Sequence, residues 1–357
     1  MIEASGVIVA DHRVDFDQRE NDNCQSAIAK ANRINKVGNM GQGNTLATRL
    51  GIGHTGQARN CNENGQSSMS QIITQLSEIS HQYDALFVDL WGCVHNGVRA
   101  FEPANQALIA YRKTGGKVVL VTNSPRPRSG VEHQLREFGV SDDAWDTIAT
   151  SGDSARSAMF QGVVGQNVYF IGTEAELPFF EPLKLLDNPI SINRVPVDQA
   201  EGIVCTGLGP DESPEDYKPQ LMMAKQMGLK FLCANPDIVV DRGHKREWCA
   251  GAVAQMYSEM GGESLYFGKP HPPIYDLARR RLAALGKPVA DDRILAIGDG
   301  IHTDIQGAVG EDIDFLFISG GLAAQETQTT DQPDPAALDE YLTKMQFHPT
   351  YSIGFLR

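Results

Sequence analysis

From residue 84 onward, two patterns of apolar and polar positions alternate along the chain. Short continuous apolar runs are typical of strands buried on both faces, and an apolar residue every three or four positions is typical of amphipathic helices. Because the two kinds of segment alternate, we predict an α/β protein with parallel sheets covered by helices on both faces. The predicted strands occupy residues 84–90, 117–122, 168–172, 202–206, 230–234, 293–298 and 314–318.

The helix with the clearest pattern follows the first predicted strand. In the segment EPANQALIAYRKTGG, Ala104, Leu108 and Tyr111 fall on one helical face, and two glycines at the end supply a C-terminal stop. A helical pattern also follows Met69, directly before the first strand. The chain shows no internal repeat and no low-complexity linker, so a second domain is expected to be an insertion within the first.

The first 68 residues follow neither pattern. They contain nine Asn and eight Gly, and no apolar period continues beyond a few positions. We therefore expect residues 1–68 to be a disordered extension, or a segment upstream of a natural translation start at Met69.

Composition and charge limit the classes of partner. Hydrophobic residues make up 41% of the chain and charged residues 21%, as in ordinary globular proteins. The apolar runs are far shorter than the ~20 residues that cross a bilayer, so we expect no membrane partner. With 31 Lys and Arg against 45 Asp and Glu, the net charge of −14 would repel nucleic acid, and we expect no nucleic-acid partner either. The six cysteines form no CxxC pair and the N-terminus lacks a secretory signal pattern, which together predict a cytoplasmic location.

Polar residues suited to phosphate chemistry follow several of the apolar runs. In open α/β sheets the reactive groups gather at the carboxyl edge, where the strands end. Carboxylates there can hold a hard cation such as Mg²⁺ through oxygen ligands, and Lys and Thr can bind phosphoryl oxygens. The residues in question are Asp89, Thr122, Asn123, Lys269, Asp299 and Asp304.

The segments that carry these residues resemble the motifs of the haloacid dehalogenase (HAD) superfamily of phosphohydrolases. They are DLWG (89–92), VTNS (121–124), GKP (268–270) and GDGIHTD (298–304), and the match spans roughly residues 84–350. Thr122 lies 33 positions after Asp89, whereas Lys269 lies 147 positions after Thr122, so a large insertion falls between the second and third motifs. This arrangement, with the ANPD segment at 234–237, resembles the class IIA branch, which includes sugar-phosphate, nucleotide and p-nitrophenyl phosphate phosphatases.

The resemblance implies a Rossmann-like HAD core formed by residues 69–162 and 263–357. An inserted α/β cap of the C2 type would occupy residues 163–262. The implied activity is Mg²⁺-dependent hydrolysis of a small phosphorylated metabolite, a phosphate monoester such as a sugar phosphate or a nucleoside monophosphate. The assembly could be a homodimer.

The resemblance also implies a role for each motif residue. Asp89 would be the nucleophile that forms an aspartyl-phosphate, while Thr122 and Lys269 would hold the phosphoryl oxygens. The Mg²⁺ ligands would be Asp89, the backbone carbonyl of Trp91, Asp299 and Asp304. The residues expected to contact substrate are Asn123, Ser124, Asn235 and Asp237.

The first motif departs from the family pattern at one position. Members that hydrolyse phosphate esters normally carry an acid/base Asp two residues after the nucleophile, where this chain has Trp91. His95 is the nearest titratable replacement, and the competing interpretation is a loop histidine that only hydrogen-bonds locally. The departure leaves a second function open, a non-catalytic protein that binds a phosphorylated ligand. Two other reactions rank lower. Cleavage of a C–P bond would want a Schiff-base Lys from a different cap type, and cleavage of a C–halogen bond needs no Mg²⁺ cage.

Overall fold

The structure is a computed structural model that describes residues 70–182, 189–242 and 245–357. The expectations for residues 1–68, of a disordered extension or of a start at Met69, lie outside the described residues.

The described residues contain fourteen strands. They are β1 (Gln71–Ile72), β2 (Ala85–Val88), β3 (Lys117–Thr122), β4 (Thr147–Thr150), β5 (Asn167–Ile171), β6 (Asn193–Arg194), β7 (Gly202–Cys205), β8 (Lys230–Cys233), β9 (Val239–Arg242), β10 (Lys245–Trp248), β11 (Glu263–Tyr266), β12 (Ile294–Gly298), β13 (Asp314–Ile318) and β14 (Tyr351–Ile353). All seven predicted strands are present, as β2, β3, β5, β7, β8, β12 and β13.

The same residues contain eight α-helices. They are α1 (Glu102–Lys113), α2 (Arg128–Phe138), α3 (Ser151–Phe160), α4 (Lys218–Gln226), α5 (Ala250–Glu259), α6 (Pro272–Ala283), α7 (Gln306–Gly310) and α8 (Pro335–Met345). Helix α1 is the helix predicted after the first strand, and it buries Ala104, Leu108 and Tyr111 as expected. None of the described helices combines the length and the apolar character that a membrane crossing requires.

The larger of the two main sheets contains seven strands in the order β1-β14-β13-β12-β2-β3-β4, and every neighbouring pair is parallel. Helices α1 and α2 cover one face with side chains such as Leu108 and Leu135. Helices α6 and α8 cover the other face with side chains such as Ile274 and Leu338. Because both faces are covered, all four residues of β2 are buried. The predicted α/β fold is confirmed.

The smaller main sheet contains five parallel strands in the order β11-β8-β7-β5-β6. Helices α4 and α5 pack on one face of this sheet, and α3 packs on the other through Met159 against Val168 and Leu232. The strands β9 and β10 form a separate antiparallel hairpin. Strand β11 belongs to this sheet and α3 packs on it, although both lie outside the residues 163–262 of the expected insertion. The division into a core of residues 69–162 and 263–357 and a cap of residues 163–262 stays a prediction.

The segment after Met69 is not the helix that its apolar spacing predicts. Residues 71–72 form β1, which pairs in parallel with β14 at Tyr351 and Ser352. Two short 3₁₀ turns follow at Leu76–Glu78 and Ser80–Gln82. An apolar residue every third position also fits a 3₁₀ turn. Residues 71–72 are extended because they pair with the edge of β14 that β13 does not occupy.

Asp146, directly before β4, holds the edge of the larger sheet in register. Its carboxylate accepts hydrogen bonds from Arg112 Nη2 at 2.8 Å, Arg112 Nε at 3.0 Å and the amide of Val118 at 2.9 Å. Its own amide donates to the carbonyl of Val118 at 2.9 Å. Burial alone would raise the pKa of Asp146, but Arg112, Val118 and Lys117 lower that pKa to below its usual range.

Asp146→Asn is expected to lower the free energy of unfolding by about 2 kcal/mol near neutral pH, because it removes a charge held by hydrogen bonds and preserves the shape. The folded-state pKa of Asp146 is depressed, so its stabilisation is present above the unfolded pKa of about 3.9 and is lost as the pH falls through the folded-state pKa. Chemical denaturation of both proteins at neutral pH and at about pH 2 measures this difference.

The matched control for this change is Asp142→Asn. Asp142 pairs with Arg136 at 3.1 Å on an exposed surface, so we expect a change of less than about 0.5 kcal/mol. Equal losses in the two variants would contradict the role assigned to Asp146.

Candidate active site

Three of the predicted site residues meet at the carboxyl edge of the larger sheet. Asp89 directly follows β2, and its amide donates to the carbonyl of Ile297 on β12 at 2.8 Å. Lys269 Nζ lies 2.5 Å from Asp89 Oδ1 and 2.6 Å from Asp304 Oδ1. The side chains are buried, with 8% of Asp89 and 4% of Lys269 exposed. One ammonium group therefore bridges two buried carboxylates.

Asp299 enters the same cluster from the end of β12. Its Oδ2 accepts a hydrogen bond from the amide of Leu322 at 3.0 Å. Gly92 and Gly321 pack against its carboxyl group, and a Cβ at either position would collide with that group. Gly92 also has a φ of +72°, which favours glycine. The last residue of the DLWG motif is therefore needed both for its backbone conformation and for the space it leaves to Asp299.

The charges of this cluster do not balance without a further cation. Burial raises the pKa of Asp89, although Lys269 opposes the shift. Burial and the nearby charges of Asp89 and Asp304 raise the pKa of Asp299 well above its usual range. Burial also raises the pKa of Asp304 to about 6, against the attraction of Lys269. The cluster contains three carboxyl groups and one ammonium group, so ionisation of all three leaves two buried negative charges uncompensated.

The arrangement fits a hard divalent cation. Ligand atoms of Asp89, Asp299 and Cys93 lie within 4.8 Å of one another. Burial raises the pKa of the Cys93 thiol well above its usual range, and the nearby carboxylates add to the shift. A neutral thiol is a poor ligand, so the carboxylate oxygens are the donors, and oxygen donors suit Mg²⁺ or Ca²⁺.

The second motif lies beside this cluster at the end of β3. Thr122 is buried, and its Oγ1 accepts from the amide of Ser124 at 3.2 Å. Asn123 Oδ1 accepts from the amide of Lys269 at 2.7 Å, and Asn123 Nδ2 donates to the Lys269 carbonyl at 3.1 Å. The same Nδ2 donates to Asp237 Oδ1 at 2.8 Å. The amide of Asn123 therefore fixes the backbone of Lys269 and joins it to the loop after β8.

This loop carries the two predicted substrate-contacting residues of the smaller sheet. Asn235 is buried, and its Oδ1 accepts from the amide of Asp237 at 3.1 Å. The bond from Asn123 to Asp237 shows that the carboxyl edges of the two main sheets face each other. The charge of Asp237 raises the pKa of Asp89, which places Asp237 within electrostatic reach of the cluster.

The remaining predicted residues lie outside this hydrogen-bonded group. Ser124 Oγ accepts from the amide of Arg126 at 3.3 Å. His95 is 1% exposed, and its Nδ1 accepts from the amide of Gly97 at 3.0 Å. Its ring centroid lies 5.4 Å from that of Trp91, and the Trp91 indole also lies against Gly97. Among the described hydrogen bonds, none joins the His95 ring to Asp89, and burial lowers the pKa of His95 to about 4.

Two neighbours of the carboxylates were missed in the sequence. The Cys93 thiol, which is not among the predicted site residues, lies beside Asp89 and Asp299. The amide of Leu322 binds Asp299 from the loop after β13. The paired glycines before Leu322 were the one available signal, because close approach of backbone to a side chain often requires glycine.

Comparisons with known proteins identify the family of this chain. A family model described as a haloacid dehalogenase-like hydrolase matches residues 86–183, and a HAD-hydrolase-like model matches residues 266–345. A crystal structure of a haloacid dehalogenase-like hydrolase from Brucella suis 1330 is 40% identical, with a TM-score of 0.69, and the match covers 80% of this chain and 100% of that chain. The chain belongs to the haloacid dehalogenase-like hydrolases. The resemblance of its motifs to this family is thus confirmed.

More distant relatives of this HAD hydrolase are phosphatases. The 5'-nucleotidase YutF of Bacillus subtilis is 24% identical over 264 residues, which are 73% of this chain and 97% of that protein. The glycerol phosphate phosphatase of Mycobacterium tuberculosis, solved in complex with magnesium, shares the fold with a TM-score of 0.54 at 23% identity. That match covers 73% of this chain and 78% of the other.

Asn123→Ala is expected to lower the free energy of unfolding by about 2 kcal/mol, because it leaves the buried amide and carbonyl of Lys269 without their partner. Denaturation in urea measures the loss. Ser124→Ala is the neighbouring control, since Ser124 Oγ accepts one long bond at the half-buried end of the same motif. A loss in Asn123→Ala no larger than in Ser124→Ala would show that the Asn123 bonds do not hold Lys269.

Proposed function

We propose that this HAD hydrolase is a phosphatase that cleaves a small phosphate monoester through an aspartyl-phosphate on Asp89. The observation that carries the proposal is the buried bridge from Lys269 to Asp89 and Asp304 at a sheet edge. A carboxylate held beside an ammonium group at a buried edge suits attack on an anionic phosphoryl group.

The chemistry assigned to these residues proceeds in two displacements. A carboxylate oxygen of Asp89 attacks phosphorus, and the bond from phosphorus to the leaving oxygen breaks. Water then attacks the same phosphorus, and the bond to Asp89 breaks to release phosphate. Lys269 offsets the negative charge of Asp89 and of the phosphoryl oxygens, and Thr122 holds a phosphoryl oxygen.

We further propose that the cluster holds Mg²⁺. Asp89, Asp299, Asp304 and the backbone carbonyl of Trp91 are the proposed ligands. The excess of buried carboxylates over cations and the oxygen character of the donors support the assignment. When bound, the ion neutralises charge on the phosphoryl group and the nucleophile.

Substrate selection is assigned to the facing edge of the smaller sheet, which lies beside the cluster. Asn235 and Asp237 are proposed to lie next to the leaving group, with Ser124 at the rim. Asn123 instead acts as a positioning residue, because its amide is already occupied by Lys269 and Asp237. A nucleoside monophosphate or a sugar phosphate is the proposed substrate class, and the related 5'-nucleotidase supports the first.

A second candidate function is binding of a phosphorylated ligand without turnover. The observation that favours it is the position of Trp91, whose indole packs against Gly97 where the family pattern has an acid/base carboxyl group. The buried nucleophile and its lysine favour the phosphatase.

Asp89→Asn is expected to reduce phosphate release by at least about 10³-fold, because the amide cannot attack phosphorus. The assay uses the full chain with p-nitrophenyl phosphate and a panel of sugar phosphates and nucleotides, with Mg²⁺ and with EDTA. Asp339→Asn, an exposed carboxyl group on α8, is the control and keeps full activity. Equal activity in Asp89→Asn would exclude Asp89 as nucleophile. Phosphate binding by the wild type without turnover would favour the second candidate.

Mg²⁺ is expected to stabilise the wild type by about 2.7 kcal/mol at a concentration about 100 times its Kd, because it binds the folded state alone. Asp299→Asn removes a proposed ligand charge and is expected to lose most of this gain. Thermal unfolding with and without Mg²⁺ measures both, with Asp339→Asn as the control. An equal gain in Asp299→Asn would place the ion elsewhere.

A further inference from the structure

The proposed phosphatase site has no proton donor two residues after its nucleophile. Position 91 holds a tryptophan whose indole lies against Gly97, and an indole N–H does not exchange protons with a leaving group near neutral pH. General acid–base catalysis contributes about 10²–10⁴-fold to such reactions. An efficient enzyme with this first motif therefore needs a carboxyl or imidazole group from another part of the chain.

His95 does not meet this need. Its Nδ1 is occupied by the amide of Gly97, and its ring lies between Trp91 and Phe138 at centroid distances of 5.4 and 5.0 Å. With 1% of its surface exposed, the ring has little access to a substrate. It is a packing residue of the loop.

Asp237 reaches the site from the opposite side. Asp89 lies at the carboxyl edge of the larger sheet, and Asp237 follows β8 at the carboxyl edge of the smaller sheet. The two edges are joined by the 2.8 Å bond from Asn123 Nδ2 to Asp237 Oδ1. In an in-line displacement the leaving oxygen departs on the side of phosphorus away from the nucleophile. In the proposed pose, Asp89 lies on one side of phosphorus, and the leaving oxygen lies on the side of the edge that Asn123 joins to the site.

We propose that Asp237 is the general acid and base of this enzyme and takes the place of the carboxyl group missing at position 91. This assignment rests on the proposed phosphatase function. It gives Asp237 a catalytic role in place of a simple contact with substrate.

The proposed proton transfers balance over the two steps. In the first, Asp89 bonds to phosphorus, the bond to the leaving oxygen breaks, and that oxygen takes the proton of Asp237. In the second, Asp237 as carboxylate takes a proton from the attacking water, the bond from phosphorus to Asp89 breaks, and phosphate leaves. Because Asn123 donates to Oδ1, the proton carried at the start belongs on Oδ2. Both Asp89 and Asp237 end in their starting states.

The surroundings of Asp237 favour its protonated form. Burial raises its pKa and the charge of Asp304 adds to the shift, while Asn123 and Lys269 oppose it. The loop itself is held by the bond from the Asp237 amide to Asn235 Oδ1 at 3.1 Å. A positioned, partly desolvated carboxyl group is what a general acid requires.

The test is rapid-quench kinetics of Asp237→Asn with p-nitrophenyl phosphate and with phenyl phosphate, which has the poorer leaving group. In p-nitrophenyl phosphate the first step needs little protonation, so the variant is expected to release a burst of about one p-nitrophenolate per active site. Its steady-state rate is expected to be about 10²–10⁴-fold below that of the wild type, with phosphoenzyme accumulating. With phenyl phosphate the burst itself is expected to slow, and Asp237→Glu is expected to recover part of the lost rate.

The matched control is Asp198→Asn, an exposed carboxyl group of the smaller sheet's domain, which keeps the wild-type rate. A steady-state rate of Asp237→Asn within a few-fold of the wild type would overturn the assignment. So would an equal loss with both substrates and no phosphoenzyme, which marks a binding or folding defect. Phosphoenzyme accumulation in His95→Gln but not in Asp237→Asn would transfer the role to His95.

Failure of the proposed function has a different signature. In that case the wild type itself releases no phosphate, or Asp89→Asn releases it as fast as the wild type does. The assignment of Asp237 would fall with it.

Discussion

The site depends on one interaction, the sharing of the Lys269 ammonium between Asp89 and Asp304. Buried carboxylates are costly unless they are paired, and here a single cation contacts two of them at 2.5 and 2.6 Å. The backbone of Lys269 is itself held at both its amide and its carbonyl by Asn123. Residues that follow β2 and β3, and one in the helical turn after β12, therefore converge on one lysine, and its placement sets the geometry of the cluster.

The same asparagine connects the two main sheets. Its third hydrogen bond reaches Asp237 on the smaller sheet, so the residue that positions the lysine also positions a carboxyl group from the facing edge. A substrate between the edges would meet Asp89, the proposed nucleophile, on one side and Asp237 on the other. Under the proposal for Asp237, a chain with Trp91 in its first motif obtains its proton donor from a distant part of the sequence.

Most of the larger elements were predictable because their burial produces a clear apolar pattern in the sequence. Strands such as β2 and β12 are continuous apolar runs, and α1 has a single apolar face. The short strand β1 at the edge of the sheet has no such apolar run, since its pairing with β14 joins residues about 280 positions apart. The apolar spacing after Met69 therefore indicated a helix, although the tertiary pairing produces a strand and 3₁₀ turns.

The sequence by itself determined the α/β fold, the order of the motifs and their placement at strand ends, since these follow from local periodicity and from the parallel arrangement. Only the tertiary structure decided which of those residues touch. In the fold, the side-chain amide of Asn123 binds Lys269 and Asp237, the buried His95 ring packs against Trp91, and Cys93 lies beside the carboxylates. These outcomes depend on how two sheets face each other, and contacts of that kind between distant segments leave no periodic signal in the chain.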